Sequence, residues 1–274
     1  MAHVREVVAR SGTSFLWGMR ILPPHRRDAM YAIYAFCREV DDIADEAGLP
    51  EVKMANLAAW RREIARLYDG QASYPVARAL QGPVTEFALP AEEFLAVIEG
   101  MEMDVRSTIV APSLEDYWLY CRRVAGAVGM LSIRVFGDSS DPALELAVVQ
   151  GEALQTTNIL RDLAEDAARG RLYMPGDLLA KHGMAGLSPD EVLDHPGLPA
   201  ACAELAKLAK SRFAKARALL ARCDRRRLRP ARLMLESYDH ILRRLESRGW
   251  DRPREAVRLS RAEKLWVAFR YSIF

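Results

Sequence analysis

The stretch YAFCREVDDIADE, residues 34–46, crowds four carboxylates into six positions behind a tyrosine and an arginine. Tyr34, Arg38, Asp41 and Asp45 stand at i, i+4, i+7 and i+11, so on a helix they share one face. Like charges one turn apart cost about 0.2–0.5 kcal/mol, and these acids fall late in the helix, where the macrodipole disfavours negative charge. Something positive must offset them. Arg38 can do so, and a divalent cation can do it better. A second stretch, GEALQTTNILRDLAEDAARGRLYMP at 151–175, repeats the device, with Gln155, Asn158, Asp162 and Asp166 at i, i+3, i+7 and i+11 and Arg161 beside them. A solvated face would explain one such stripe. Two of them, led by amides or a phenol on helices otherwise rich in Ala, Ile and Leu, point to magnesium-bridged binding of diphosphate. Mg²⁺ takes oxygen ligands and joins carboxylates to phosphate oxygens. Arg38 and Arg161 can meet phosphate oxygens directly, while Gln155 and Asn158 add ligating or hydrogen-bonding groups without charge.

The elements that must carry these stripes are helices. Nearly every long segment shows the 3.6-residue apolar period, and none alternates with period two. Pro and Gly mark the boundaries, which gives helices near 25–46, 51–69, 74–88, 91–109, 113–136, 142–168, 200–224, 229–248 and 260–270, with short helical stubs in 170–199. Ser113 with Asp116 three residues on, and Pro142 at a first helical position, read as helix starts. The expectation is one all-α domain over residues 1–274. Gly126 and Gly129 each cost a helix interior about 1 kcal/mol relative to Ala. That cost is reasonable if a bound apolar chain or a neighbouring backbone passes close by.

Composition narrows the function. Cys37, Cys121, Cys202 and Cys223 are scattered, with no CxxC, and read as buried thiols of a reducing compartment. No signal peptide and no 18-residue uncharged run is present, so the expected location is cytoplasmic. The tail KLWVAFRYSIF is read as a core helix or an interfacial contact with the inner membrane face. Residues 198–274 carry 20 Lys and Arg against 8 Asp and Glu, a balance suited to phosphates. The run RCDRRRLRPAR at 222–232 has no interleaved aromatics or recognisable DNA-binding pattern, so nucleic acid is not expected. No G-x-G-x-x-G follows a strand, so NADPH is not expected either.

The two acidic motifs, DDIAD at 41–45 and NILRDLAED at 158–166, resemble those of the squalene/phytoene synthases, the head-to-head prenyl transferases. The resemblance extends to SFLWGMRILPPHRRDAMYAIYAFCREVDD, to YCRRVAGAVG at 120–129 and to GRLYMP at 170–175. The N-terminal wording is most similar to the presqualene diphosphate synthase subgroup of bacterial hopanoid biosynthesis. The resemblance implies an all-α isoprenoid-synthase bundle around a central cavity, in which two farnesyl diphosphates are joined with the help of two or three Mg²⁺ ions. Carried over by position, Asp41, Asp45, Asp162 and Asp166, with Asn158, are the metal ligands. Arg38 and Arg161 hold diphosphate, helped by Gln155 and Asn158. Tyr34, Tyr120 and Tyr173 line the reaction centre, and Ser14 and Phe15 lie near a diphosphate and a prenyl chain. Isoprenoid diphosphates are the expected partners, with downstream hopanoid or squalene enzymes beyond them. Two alternatives share these features: condensation of two geranylgeranyl diphosphates to phytoene, and a non-catalytic helical binding or assembly protein.

Overall fold

Fourteen helical segments are formed, and among the described residues extended pairing is limited to one isolated bridge. The computed structural model describes residues 1–11, 15–106 and 109–257. The segments are α1 (Ala2–Ser11), α2 (Phe15–Arg20), α3 (Pro24–Asp45), α4 (Pro50–Tyr68), α5 (Pro75–Glu86), α6 (Ala91–Arg106), α7 (Leu114–Cys121), a π-helical turn (Arg122–Gly126), α8 (Ala127–Phe136), α9 (Asp141–Ala168), α10 (Gly176–Lys181), α11 (Pro189–Leu193), α12 (Leu198–Leu220) and α13 (Arg229–Arg248). The expected helices from 25 to 248 are all present. The short α1 and α2 were not anticipated, and the expected helix at 260–270 lies outside the described residues.

Local chemistry explains the boundaries. α3, α4 and α5 each begin with a proline in the first turn, where its missing N–H costs nothing. The Ser113 hydroxyl accepts the Asp116 N–H and caps α7 as expected. α9 starts one residue earlier than the sequence suggests, with Ser140 as its cap residue and Pro142 in its first turn. Gly137 ends α8 at φ +89°, a left-handed geometry that suits glycine.

α9 is the central strut. It packs along α12 and against α8, the π-helical turn and α13, and residues on several of its faces are buried, from Ala143 to Ala167. α3 buries the stripe Ala29, Ile33, Phe36, Val40 and Ala44. Phe36 sits edge-on to Trp60 at 5.3 Å and to Phe94 at 5.1 Å, which locks α3 onto α4 and α6. Burying such a ring is worth about 2–3 kcal/mol. On α6, the buried Glu93 takes a two-pronged hydrogen bond from Arg122 at 2.7 and 2.8 Å, anchoring the start of the π-helical turn.

The glycines of that region serve a close helix crossing. A Cβ on Gly129 would lie 2.5 Å from the Ala147 carbonyl oxygen, and one on Gly151 would lie 2.6 Å from the Gly126 nitrogen. Gly129 and Gly151 also line an apolar cavity, whereas a Cβ on Gly126 would meet the Arg122 side chain at 2.9 Å. All four cysteines are free thiols. Cys121 and Cys202 are buried as expected, whereas Cys37 and Cys223 are only half-buried.

Candidate active site

Both acidic stripes line one polar cavity of about 440 Å³. α3 contributes Tyr34, Arg38, Asp41 and Asp45. α9 contributes Gln155, Asn158, Arg161, Asp162, Glu165 and Asp166, α7 supplies Tyr120, and the segment after α9 supplies Tyr173. Eleven of the residues singled out from sequence therefore meet around one space. Ser14 lies outside the described residues, as does the side chain of Phe15, which opens α2.

The segment after α9 is held in place by the isolated bridge. Leu172 N–H donates to the Ile109 carbonyl at 2.7 Å, and Ala111 N–H donates to that of Leu172 at 2.8 Å. This pairing sets Arg171 and Tyr173 beside the end of α6. There the Tyr173 hydroxyl donates to Asp104 at 2.7 Å and the Tyr120 hydroxyl donates to the same carboxylate at 3.2 Å. The two rings stack with centroids 4.9 Å apart. Burial pushes Asp104 up to about 6, although the Tyr173 hydroxyl, Arg171 and the Tyr120 hydroxyl pull it down. Burial, with Asp104 alongside, holds both phenols far above their usual range, so they are neutral donors.

The four motif aspartates differ in their partners. Both oxygens of Asp162 accept from Arg161, at 2.7 and 2.6 Å. Both oxygens of Asp45 accept from arginines across the cavity, Arg169 at 2.6 Å and Arg171 at 2.7 Å. Burial pushes Asp45 upward, but the Arg171 and Arg169 contacts outweigh it and hold the carboxyl below its usual value. Arg171 and Lys53 also donate to the Ala44 carbonyl at the C-terminus of α3. The offset to the acid crowding thus comes partly from residues distant in sequence, not from Arg38 alone.

Asp41 and Asp166 are left with excess negative charge. One Asp41 oxygen accepts from Arg38 at 3.2 Å, while Arg38 also pairs with Asp42. No hydrogen bond or ion pair among the described residues reaches the Asp166 carboxylate, although its backbone carbonyl accepts the Arg169 and Arg171 N–H groups. Burial, and then the Asp45 carboxylate, raise Asp41 to about 6. Burial, and then Asp162, raise Asp166 to about 7. Asn158 Oδ1 is buried without a partner, its amide donating to Gln155 Oε1 at 3.3 Å.

An oxygen-only donor set, two carboxylates raised by burial and by neighbouring acids, and an orphaned amide oxygen in the same cavity fit a hard divalent cation. Among the described residues, however, no three Asp, Glu, His or Cys side chains converge into a ready metal cluster. A cation would therefore need further oxygens from its ligand, as Mg²⁺ usually does.

Two further chambers adjoin the polar one, the larger apolar and the smaller of mixed lining. The larger, about 240 Å³, is lined by residues including Met30, Ile33, Val128, Phe136, Leu146 and Met234, and shares Tyr34, Gln155 and Asn158 with the polar cavity. The smaller, about 200 Å³, contains Cys37, Val97, Met101 and Val124 and shares Tyr34, Arg38, Asp41, Tyr120 and Gln155. Val124, from the π-helical turn, lines both chambers. Such turns recur at functional sites because the extra residue re-aims side chains.

Sequence reasoning did not single out Asp104, Arg169, Arg171 or Tyr238. Arg171 stood inside the quoted GRLYMP, and Asp104 falls on the buried stripe of α6 with Phe94, Val97 and Met101, a signal that could have been read. Tyr238 of α13 hydrogen-bonds with Arg161 and Asn158 but falls on that helix's apolar stripe, so its spacing carried no polar signal.

An all-helical bundle enclosing an acid- and arginine-lined chamber beside an apolar one is built to receive an anionic head on a greasy tail. The chain belongs to the squalene/phytoene synthase family, whose model matches residues 8–263. It is 45% identical to the presqualene diphosphate synthase of Rhodopseudomonas palustris, over 96% of this chain and 94% of that one. It is 44% identical to the enzyme of the same name from Sinorhizobium fredii, over 99% and 97%. The crystal structure of squalene synthase HpnC from Alicyclobacillus acidocaldarius superposes with a TM-score of 0.81 at 31% identity, covering 91% of this chain and 94% of that one.

Proposed function

We propose that this chain is a prenyltransferase that condenses two farnesyl diphosphates head to head, giving presqualene diphosphate, one diphosphate and one proton. One observation carries the reading: a single polar chamber shares its wall with an apolar chamber and with a smaller one of mixed lining, so two tails can meet at one site of ionisation. The near full-length similarity to presqualene diphosphate synthases supports the C15 substrate. The reaction is redox-neutral and calls for no reductant.

Bound Mg²⁺, two or three ions, would supply Lewis-acid stabilisation of the departing diphosphate, with Asp41, Asp45, Asp162, Asp166 and Asn158 as its ligands. Arg38 and Arg161 hold diphosphate oxygens and neutralise the charge that grows as the C–O bond breaks. Gln155 orients the same group, and by the family resemblance Ser14 and Phe15 would serve a diphosphate and a prenyl chain. The walls of the side chambers keep water from the allylic cation, which would otherwise be quenched to an alcohol. The faces of Tyr34 and Tyr120 favour positive charge by about 0.5–2 kcal/mol each. The second substrate's double bond then attacks, and proton loss closes the cyclopropane.

No helix among the described residues is long and apolar enough to cross a membrane. The reading is completed by one domain over residues 1–274, a cytoplasmic location with peripheral membrane contact, and delivery of product to later squalene or hopanoid enzymes.

The test is incubation of the purified chain with farnesyl diphosphate and Mg²⁺ in the absence of NADPH, followed by mass analysis. A cyclopropyl C30 diphosphate is expected, with none formed in EDTA. Turnover of geranylgeranyl but not farnesyl diphosphate would overturn the reading. So would an Asp41→Asn/Asp162→Asn double variant that keeps full Mg²⁺-dependent substrate binding.

A further inference from the structure

The arginine-rich turn between α12 and α13 plays no part in the site described above. Residues 222–232 hold six arginines against one aspartate. That aspartate is engaged internally: Asp224 Oδ1 accepts the backbone N–H groups of Arg226 at 2.8 Å and Arg227 at 3.1 Å. Its own N–H donates to Asp138 at 3.2 Å. Arg227 fastens the turn to the end of α8 by donating to the Gly137 carbonyl, and beside it Arg26 of α3 donates to the Phe136 carbonyl.

The turn is therefore ordered, and its remaining charges point outward. Arg225, Arg226 and Arg229 are exposed, and none has a hydrogen bond from its guanidinium or an ion pair among the described residues. Elsewhere arginines are commonly spent on carboxylates, as Arg217 is on Glu236 and Asp239.

Beside these arginines the chain presents apolar surface. A groove of about 310 Å³ is lined by Ile21, Leu22, Pro23 and Pro230 together with Arg26, Arg226, Arg227 and Arg229. Ile21 is 39% exposed. Pro230 also belongs to the wall of the larger apolar chamber, so this face backs onto the space read above as a prenyl-tail site.

We propose that this face docks on an anionic phospholipid bilayer, with Arg225, Arg226 and Arg229 meeting headgroup phosphates and Ile21 entering the interfacial layer. The charge is complementary to such a surface, and the apolar floor suits acyl chains. No aromatic side chain lines the groove to stack a nucleic-acid base. The advantage of docking, access to greasy substrate and product, rests on the proposed function. The docking itself does not.

The experiment is flotation of the full chain with phosphatidylcholine vesicles, with and without phosphatidylglycerol, in parallel with the triple variant Arg225→Gln/Arg226→Gln/Arg229→Gln. Each arginine near an anionic surface contributes about a fivefold factor. The wild-type chain should therefore float only with anionic vesicles and be released by high salt, and the triple variant should partition on the order of a hundredfold more weakly. Its melting temperature, and its turnover of farnesyl diphosphate in vesicle-free buffer, should match the wild type. The proposal is overturned if the wild-type chain ignores phosphatidylglycerol or the triple variant floats equally well. It is also overturned if duplex DNA binds the wild type as strongly as the vesicles do and loses as much to the triple substitution. An absence of turnover in the wild type would count against the enzymatic reading and leave the flotation result standing.

Discussion

Asp104 is a single buried carboxylate on which two phenols depend, which makes it a sharp test of how the site is assembled. Replacing it by alanine leaves the Tyr173 and Tyr120 hydroxyls, now 2.7 and 3.2 Å from its oxygens, without their acceptor inside the protein. An unsatisfied buried donor costs about 1–3 kcal/mol. Two such donors, less the relief of no longer burying Asp104 itself, give a loss of about 2–4 kcal/mol. For a chain of this size that is a fall in melting temperature on the order of 10 °C. Asp104→Asn should be milder, about 1 kcal/mol, because the amide oxygen still accepts from one phenol and the other phenol oxygen can accept from the amide. Freed phenol rotors should slow condensation on the order of 10–100-fold in both variants, since small misplacements are expensive in a preorganised site. The assay is thermal unfolding by circular dichroism with steady-state product formation, on Asp104→Asn, Tyr173→Phe and the double variant. A coupling energy of about 1 kcal/mol is expected in the double-mutant cycle. If both Asp104 variants melt within about 1 °C of the wild type and the cycle shows no coupling, Asp104 does not hold the phenols and the reasoning fails.

Two further outcomes follow from the packing. The buried Glu63 accepts from the Ser73 and Tyr74 N–H groups and from the Ser73 hydroxyl, and despite burial these donors hold its pKa below the usual carboxylate value. A lowered folded pKa means stability that is present above the unfolded value near 4.3 and lost as pH falls through the folded one. Glu63→Gln should therefore cost about 1–3 kcal/mol at neutral pH and flatten the acid limb of a melting-temperature profile, and an unchanged limb would count against it. Gly129→Ala would force the α8–α9 crossing apart at the Ala147 carbonyl, costing about 1–3 kcal/mol. It should also narrow the larger apolar chamber, read as a raised KM for farnesyl diphosphate.

The helices and both acidic faces were legible because each is encoded locally. A 3.6-residue period gives α3 and α9 their buried stripes, and the i, i+4, i+7, i+11 and i, i+3, i+7, i+11 spacings put each set of polar groups on one side. The partners of those groups were not legible, because they come from far along the chain. Asp45 is held by Arg169 and Arg171, more than 120 residues away. Asp104 reaches Tyr173 across 69 positions. No periodicity connects such pairs. They are brought together by the Val110–Leu172 bridge, whose two short segments carry no strand pattern of their own.

That difference bears on how the acidic crowding is borne. From the sequence, four carboxylates at the end of α3 call for a positive offset, from Arg38 or, better, from a divalent cation. In the fold, Asp45 is satisfied by arginines and the end of α3 is capped by Arg171 and Lys53, so the protein can assemble before any ligand arrives. The unmet demand is concentrated on Asp41 and Asp166, which stand on opposite helices of the same cavity with carboxyl groups raised to about 6 and about 7. A cation that arrives with its own phosphate oxygens answers this demand better than a bare one, because among the described residues no three acidic side chains converge into a ready metal cluster. The arrangement therefore favours a site that is held together by arginines when empty and completed by its substrate.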